Sequence, residues 1–231
     1  KLPNQKALQQ RLEAMLKESA AAAASAESFS DYEYPWHALL LLDIDRFQEF
    51  STAQGGKWTD NLLKATVERL DMILPGNAWM ARMTSHQFAV ILVGAGATRV
   101  DARMRAVSLA ETLQRGMASL NFQHDDGLPV KASSSVGLTL FPFVEPGRTA
   151  DSRDLIVRRA SVALAQAQQL GGGQTQPYSE ELGSAAQRRL EIERELYTAL
   201  QEGQLSLFVQ PQVNLMGEVA SLEALVRWQH P

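Results

Sequence analysis

The chain has 231 residues, 45% of them hydrophobic and 21% charged, with a formal net charge of −4. That composition supports a sizeable core and offers no basic face for sequence-independent binding to nucleic acid. The absence of cysteine excludes disulfides and thiolate metal sites, and no apolar run is long enough to cross a bilayer.

In chain order, Leu2-Pro3-Asn4 opens an amphipathic helix carrying Leu8, Leu12, Met15 and Leu16 on one face, and the run Ala20–Ala26 either continues it or frays. Trp36–Leu42 is a continuous apolar run ending at Asp43, the pattern of a buried central strand. Asp43-Ile44-Asp45-Arg46-Phe47 leads into a helical turn that breaks near Gly55-Gly56. A second helix is expected to start from Thr59 as N-cap and to stop at Pro75-Gly76. Ala78–Met83 and Phe88–Val93 are short apolar runs around the polar break Thr84–Gln87, which predicts a hairpin in the middle of an antiparallel sheet.

A long helix follows over Thr98–Met117, and then a strand pair, Leu120–Phe122 with Val130–Leu140, joined by the polar loop His124–Gly127. Asp151–Gln169 carries a helical apolar stripe and ends in the glycine run Gly171–Gly173, a strong stop. A short strand over Thr175–Tyr178 closes this part. Glu180–Gln204 predicts a charged connector helix, and Leu205–Val213 with Glu218–Trp228 predict two strands around an Asn214–Gly217 turn. The chain opens on Lys1 and stops at Pro231 inside a motif, and is read as a fragment of a longer protein.

Five spaced motifs carry a resemblance. They are Leu2-Pro3-Asn4, Leu42-Asp43-Ile44-Asp45-Arg46-Phe47, Asp60-Asn61-Leu62-Leu63, Arg82-Met83-Thr84-Ser85-His86-Gln87-Phe88 and Ser133-Ser134-Ser135-Val136-Gly137. In this order they resemble the GGDEF family of diguanylate cyclases. The resemblance implies an α/β (α+β) fold over residues 1–178, with a nucleotide-cyclase-like, mainly antiparallel five-stranded sheet flanked by helices.

The departures from the family pattern are informative. The resemblance implies a Mg²⁺ site with one carboxylate at Asp43 and another from the hairpin, where this chain has His86 and Gln87. Thr84 and Ser85 stand where the family has two glycines that let phosphate approach the backbone. The guanine-reading asparagine is Ser51, and its aspartate partner is kept as Asp60. Gln168 and Gly172 replace the phosphate-binding lysine and arginine, and the product-inhibition pair falls on Pro75 and Ala78. The implied domain is a degenerate cyclase with a vestigial nucleotide site at Asp43, Ser51 and Asp60. From the residues themselves, Asp43 is read as a strand-end cap and His86 as an exposed turn residue. Asp60 stays open between a guanine reader and a helix first-turn acid.

Gln210-Pro211 and Leu222-Glu223-Ala224-Leu225-Val226-Arg227-Trp228-Gln229-His230-Pro231 resemble the opening of EAL phosphodiesterases, which hydrolyse cyclic di-GMP in a TIM-like barrel. The resemblance implies that 179–231 are a connector helix and the first strands of a truncated barrel. In the parent protein, Glu223 would ligate Mg²⁺ or Mn²⁺, Arg227 would hold a substrate phosphate, and Gln210 and Leu225 would line the substrate. The fragment itself is expected to bind no metal.

Three functions follow from these resemblances. The first is a non-catalytic regulatory and dimerising module of a cyclic di-GMP phosphodiesterase. The second is a GTP-binding sensor, and the third a weak residual cyclase, which the departures disfavour. The expected partners are cyclic di-GMP for the parent, GTP for the sensor and a second copy for a homodimer, with neither nucleic acid nor membrane contacted by these residues. The expected location is cytoplasmic, including the cytoplasmic part of a membrane-anchored protein.

Overall fold

The structure is a computed structural model describing residues 2–25, 35–123, 129–142 and 151–229. The expected loop His124–Gly127 and the last two residues, His230 and Pro231, lie outside them. The chain divides into two compact units, Lys1–Leu182 and Gly183–Pro231.

Helix α1 (Gln5–Ser25) starts behind Asn4, whose Oδ1 accepts from the Ala7 amide at 3.1 Å. Asn4 therefore acts as an N-cap, and the helix runs through the alanine-rich stretch to Ser25. Strand β1 (Trp36–Ile44) follows, then α2 (Phe47–Gln54) and α3 (Gly56–Ile73). Thr59 is not the N-cap that its residue type suggested. Gly55, at φ 78° and ψ 175°, supplies the break earlier, and the Thr59 hydroxyl donates back to the Gly55 carbonyl at 2.9 Å from inside α3.

The hairpin forms as β2 (Ala78–Arg82) and β3 (Gln87–Gly96). Helix α4 (Arg99–Ala118) is capped by Thr98, whose side chain accepts from the Asp101 amide. The expected strand pair after α4 divides. Its two ends form a separate ribbon, β4 (Asn121–Gln123) with β5 (Pro129–Lys131), while β6 (Ser134–Phe141) joins the main sheet. Helix α5 (Arg153–Gln169), β7 (Thr175–Pro177) and α6 (Glu180–Gln201) follow.

The main sheet has five strands in the order β2-β3-β1-β6-β7. The hairpin is thus not central, because β2 is an edge strand and β1 holds the middle. The β1–β3, β1–β6 and β2–β3 pairs are antiparallel and β6–β7 is parallel, so the sheet is mixed. Alternate residues of β1 feed two cores. Leu40 and Leu42 face α3 and α4 with Phe88 and Val90, whereas Leu39 and Leu41 face α1 and α5 with Ile91, Leu12 and Leu164. A strand buried on both faces reads as continuously apolar, which is why Trp36–Leu42 does. Helix α5 lies close on β6 at Gly137, where a Cβ would strike the Leu164 amide and the Ala160 carbonyl.

In the second unit, the rest of α6 leads to the antiparallel ribbon β8 (Leu205–Val213) and β9 (Val219–Trp228). Gln204 ties them, donating its amide to the Ala199 carbonyl and accepting from the Gln229 amide.

His37 in β1 is only 8% exposed, and its Nδ1 accepts from the Gly94 amide at 3.0 Å. Burial holds its pKa below the ordinary 6.5, so the folded chain binds fewer protons here than the unfolded chain. His37 therefore contributes stability that is complete above about pH 6.5 and is lost as pH falls through its folded pKa. Urea midpoints measured from pH 7 down to pH 5 are expected to drop, with a shallower slope in His37→Gln; equal slopes would refute this assignment.

Candidate functional site

The site lies where β1 ends beside the β2–β3 turn. Register places Asp43 opposite Gln87 of β3 and Ser135 of β6, and the Ile44 amide donates to the His86 carbonyl at 3.2 Å. The turn has no glycine and needs none, because none of its residues takes a positive φ. Thr84 Oγ1 accepts from the Gln87 amide at 3.2 Å, and the Arg82 guanidinium donates to the carbonyls of Thr84 (3.0 Å) and Ser85 (2.8 Å). Those bonds hold the tight tip without a glycine.

Three predicted residues meet at Asp43. Its carboxylate is 11% exposed and accepts from Gln87 Nε2 at 3.4 Å, with His86 Nε2 at 3.8 Å from the same oxygen. Burial raises the Asp43 pKa, while the neighbouring His86 opposes that rise. His86 is not a freely exposed turn residue. Its ring stacks on Phe47 at 4.8 Å and its Nδ1 lies 2.9 Å from Ser85 Oγ. Phe88, the last residue of the signature, is fully buried in the core.

Asp45, which the sequence reading passed over, is the better-connected carboxylate. It accepts from Ser133 Oγ at 2.7 Å, Ser135 Oγ at 2.6 Å and the Gly173 amide at 2.9 Å. Gly172 sits at φ 75°, and a Cβ there would lie 3.2 Å from this carboxylate. The one signal available was three motifs read together, Asp43-Ile44-Asp45, Ser133-Ser134-Ser135 and Gly171–Gly173.

The remaining predicted residues stay apart. Ser51 lies on α2 and Asp60 is exposed on α3, and no side-chain hydrogen bond among the described residues joins either to Asp43. Gln168 is exposed at the end of α5, and Pro75 and Ala78 precede and open β2. A hard divalent ion wants several oxygen ligands. Asp43 offers one desolvated carboxylate facing an imidazole and a carboxamide, and Asp45 is committed to three donors, so this donor set does not fit such an ion. Among the described residues no group of three or more His, Cys, Asp or Glu is arranged to hold a metal.

Residues 1–174 match the family described as "Diguanylate cyclase, GGDEF domain". The chain belongs to that family. Cyclic di-GMP phosphodiesterase NbdA of Pseudomonas aeruginosa is 32% identical over 196 residues, 84% of this chain and 23% of that protein. Cyclic di-GMP phosphodiesterase PdeR of Escherichia coli is 29% identical over 194 residues, 84% of this chain and 27% of that protein. The chain spans about a quarter of the length of the curated relatives it matches. Among solved structures, the GGDEF domain of TpbB (YfiN) from P. aeruginosa superposes with TM-score 0.63 at 22% identity, covering 80% of this chain and 95% of that one. The GGDEF domain of DgcB from Caulobacter crescentus, solved with c-di-GMP, gives 0.61 at 18% identity, covering 76% and 88%. These likenesses carry the fold of this GGDEF chain.

Beyond the GGDEF match, register brings the tail residues to one face of the β8–β9 ribbon. Gln210 pairs with Glu223, Phe208 with Leu225 and Ser206 with Arg227, and successive pairs two residues apart share a face. Gln212 Nε2 donates to Glu223 at 3.3 Å.

Asp45→Ala leaves two hydroxyls and an amide without their acceptor, at a cost of about 1–3 kcal/mol. The thermal midpoint of this GGDEF chain should fall by about 5 °C. Glu49→Ala, which removes only an exposed ion pair with Arg46, should leave the midpoint unchanged. Equal midpoints for Asp45→Ala and the parent chain would remove Asp45 from its structural role.

Proposed function

We propose that this chain is a non-catalytic GGDEF module of a cyclic di-GMP signalling protein, regulating and helping to dimerise a phosphodiesterase whose first strands are β8 and β9. The observation that carries the reading is the pairing of Asp43 with His86 and Gln87, where the family's chemistry asks for a second carboxylate. Cyclisation of GTP needs a metal-bound triphosphate attacked by a 3′-oxygen held in a facing subunit. Asp43 alone cannot share the charge of a hard ion. Gln168 and Gly172 supply no cation for the phosphates. In this reading 1–178 form the degenerate domain and 179–231 the connector and the start of the EAL domain, in the cytoplasm.

A second reading rests on Asp60, whose carboxylate stays exposed on α3. With that group kept, the domain binds GTP without turning it over and tunes the phosphodiesterase as a sensor. Calorimetry separates the two, since heat on GTP addition without product supports the sensor and no heat supports the interaction module.

With GTP and Mg²⁺ or Mn²⁺, the chain is expected to form no cyclic di-GMP above the blank. The double variant His86→Asp, Gln87→Glu should not restore it, because the phosphates still lack their cations. Sustained turnover by the unaltered chain would overturn the proposal.

In the parent protein, Glu223 would provide one oxygen ligand to Mg²⁺ or Mn²⁺ beside carboxylates from later strands, with Arg227 holding a phosphate near Gln210 and Leu225. The parent carrying the complete barrel should hydrolyse cyclic di-GMP, and Glu223→Ala should abolish that hydrolysis. A folded but inactive parent would make it a binding protein instead.

A further inference from the structure

At the hairpin tip, Asp43 and His86 face each other without a hydrogen bond. His86 Nε2 lies 3.8 Å from Asp43 Oδ2, too far for such a bond. Imidazole nitrogen and carboxylate oxygen each sit about 2.0–2.2 Å from a zinc ion, so one ion reaches both atoms where they stand. Gln87 Nε2 is 3.4 Å from the same carboxylate oxygen, and half a turn of that amide presents its oxygen there instead. The second ring nitrogen of His86 is also engaged, with Nδ1 2.9 Å from Ser85 Oγ. With the hydrogen on Nδ1, that nitrogen donates to Ser85 and the Nε2 lone pair faces Asp43. Phe47, stacked on the ring at 4.8 Å, holds it in this orientation. A histidine that ligates a metal through one nitrogen characteristically has the other one hydrogen-bonded in this way.

We infer that Asp43, His86 and Gln87 form a site for a borderline divalent ion, zinc, in place of the hard magnesium ion that the family resemblance implies here. The inference goes beyond the regulatory role proposed above and does not depend on GTP binding. An imidazole nitrogen suits zinc, whereas magnesium takes oxygen ligands. His86 in place of a hairpin carboxylate therefore changes which ion is preferred. Asp43 supplies the negative charge. Its side chain is 11% exposed, and among the described residues no lysine or arginine pairs with it. Burial and the nearby Asp45 both disfavour the Asp43 charge, and a bound cation would offset both effects. The His86 side chain is 27% exposed, which leaves a path for the ion and room for water to complete a tetrahedral set. Such an ion would tie the end of β1 to the hairpin tip.

The test is a ¹H–¹⁵N NMR titration of the untagged chain with zinc chloride, in buffer holding a roughly hundredfold excess of Mg²⁺ over Zn²⁺. Saturable shifts are expected at Asp43, His86 and Gln87, with Nε2 of His86 moving more than Nδ1. Asp43→Asn, which keeps the side-chain shape, and His86→Ala are each expected to abolish these shifts. Ser85→Ala, at an exposed position that leaves both ligands in place, is expected to weaken binding about tenfold by freeing the ring. The proposal is overturned by an absence of saturable shifts, by shifts centred on another histidine or on Glu223, by unchanged zinc affinity in His86→Ala or Asp43→Asn, or by displacement of zinc by the magnesium excess.

Discussion

Strand β1 is buried on both faces, and the domain is built around satisfying it. A strand with no solvent on either side must pair every backbone group with neighbours, and β3 and β6 do so along its length. Its side chains feed two separate cores, so a slip of one residue would send each set into the wrong layer. Its polar residues stand near its two ends, His37 at the start and Asp43 at the finish, with Asp45 just beyond it. The same register that protects the core therefore aims the β2–β3 turn at Asp43.

The two carboxylates are two residues apart and have opposite fates. Asp43 is desolvated beside a ring and a carboxamide, an environment that disfavours its charge. Asp45 is half-buried and accepts three hydrogen bonds from two other segments. It fastens the start of β6 and the glycine turn after α5 to the end of β1. Gly172 follows from this, since any side chain at that position meets the carboxylate from a left-handed backbone. A side chain at this position would thus crowd the packing of the turn.

The second unit presents the opposite problem. A two-stranded ribbon is marginal by itself, and β8 and β9 leave Leu207 65%, Phe208 57% and Val226 61% exposed. One face of this ribbon, with Leu205, Leu207, Val209, Ala224 and Val226, is apolar, and the other carries Ser206, Gln210, Glu223 and Arg227 beside Phe208 and Leu225. In the proposed reading, further barrel strands cover these faces and bring carboxylates to Glu223.

Much of the fold was legible because its signals are local. Continuous apolarity marked β1, a polar break between short apolar runs marked the hairpin, and Thr98 and the glycine run marked the start of α4 and the end of α5. The motifs that carried the family resemblance are likewise contiguous, and residues 1–174 match that family. Sheet order was not legible, so β2 was read as central when it forms an edge, and Val130–Leu140 was read as one strand when only its latter part joins the sheet. Thr59 has the chemistry of a cap, yet the backbone at Gly55 begins the helix first. The partners of Asp45 lie 88, 90 and 128 residues along the chain. Local residue chemistry determined which segments became helices and strands. Only the packing of distant segments decided which side chains met, because hydrogen bonds and charge act through space.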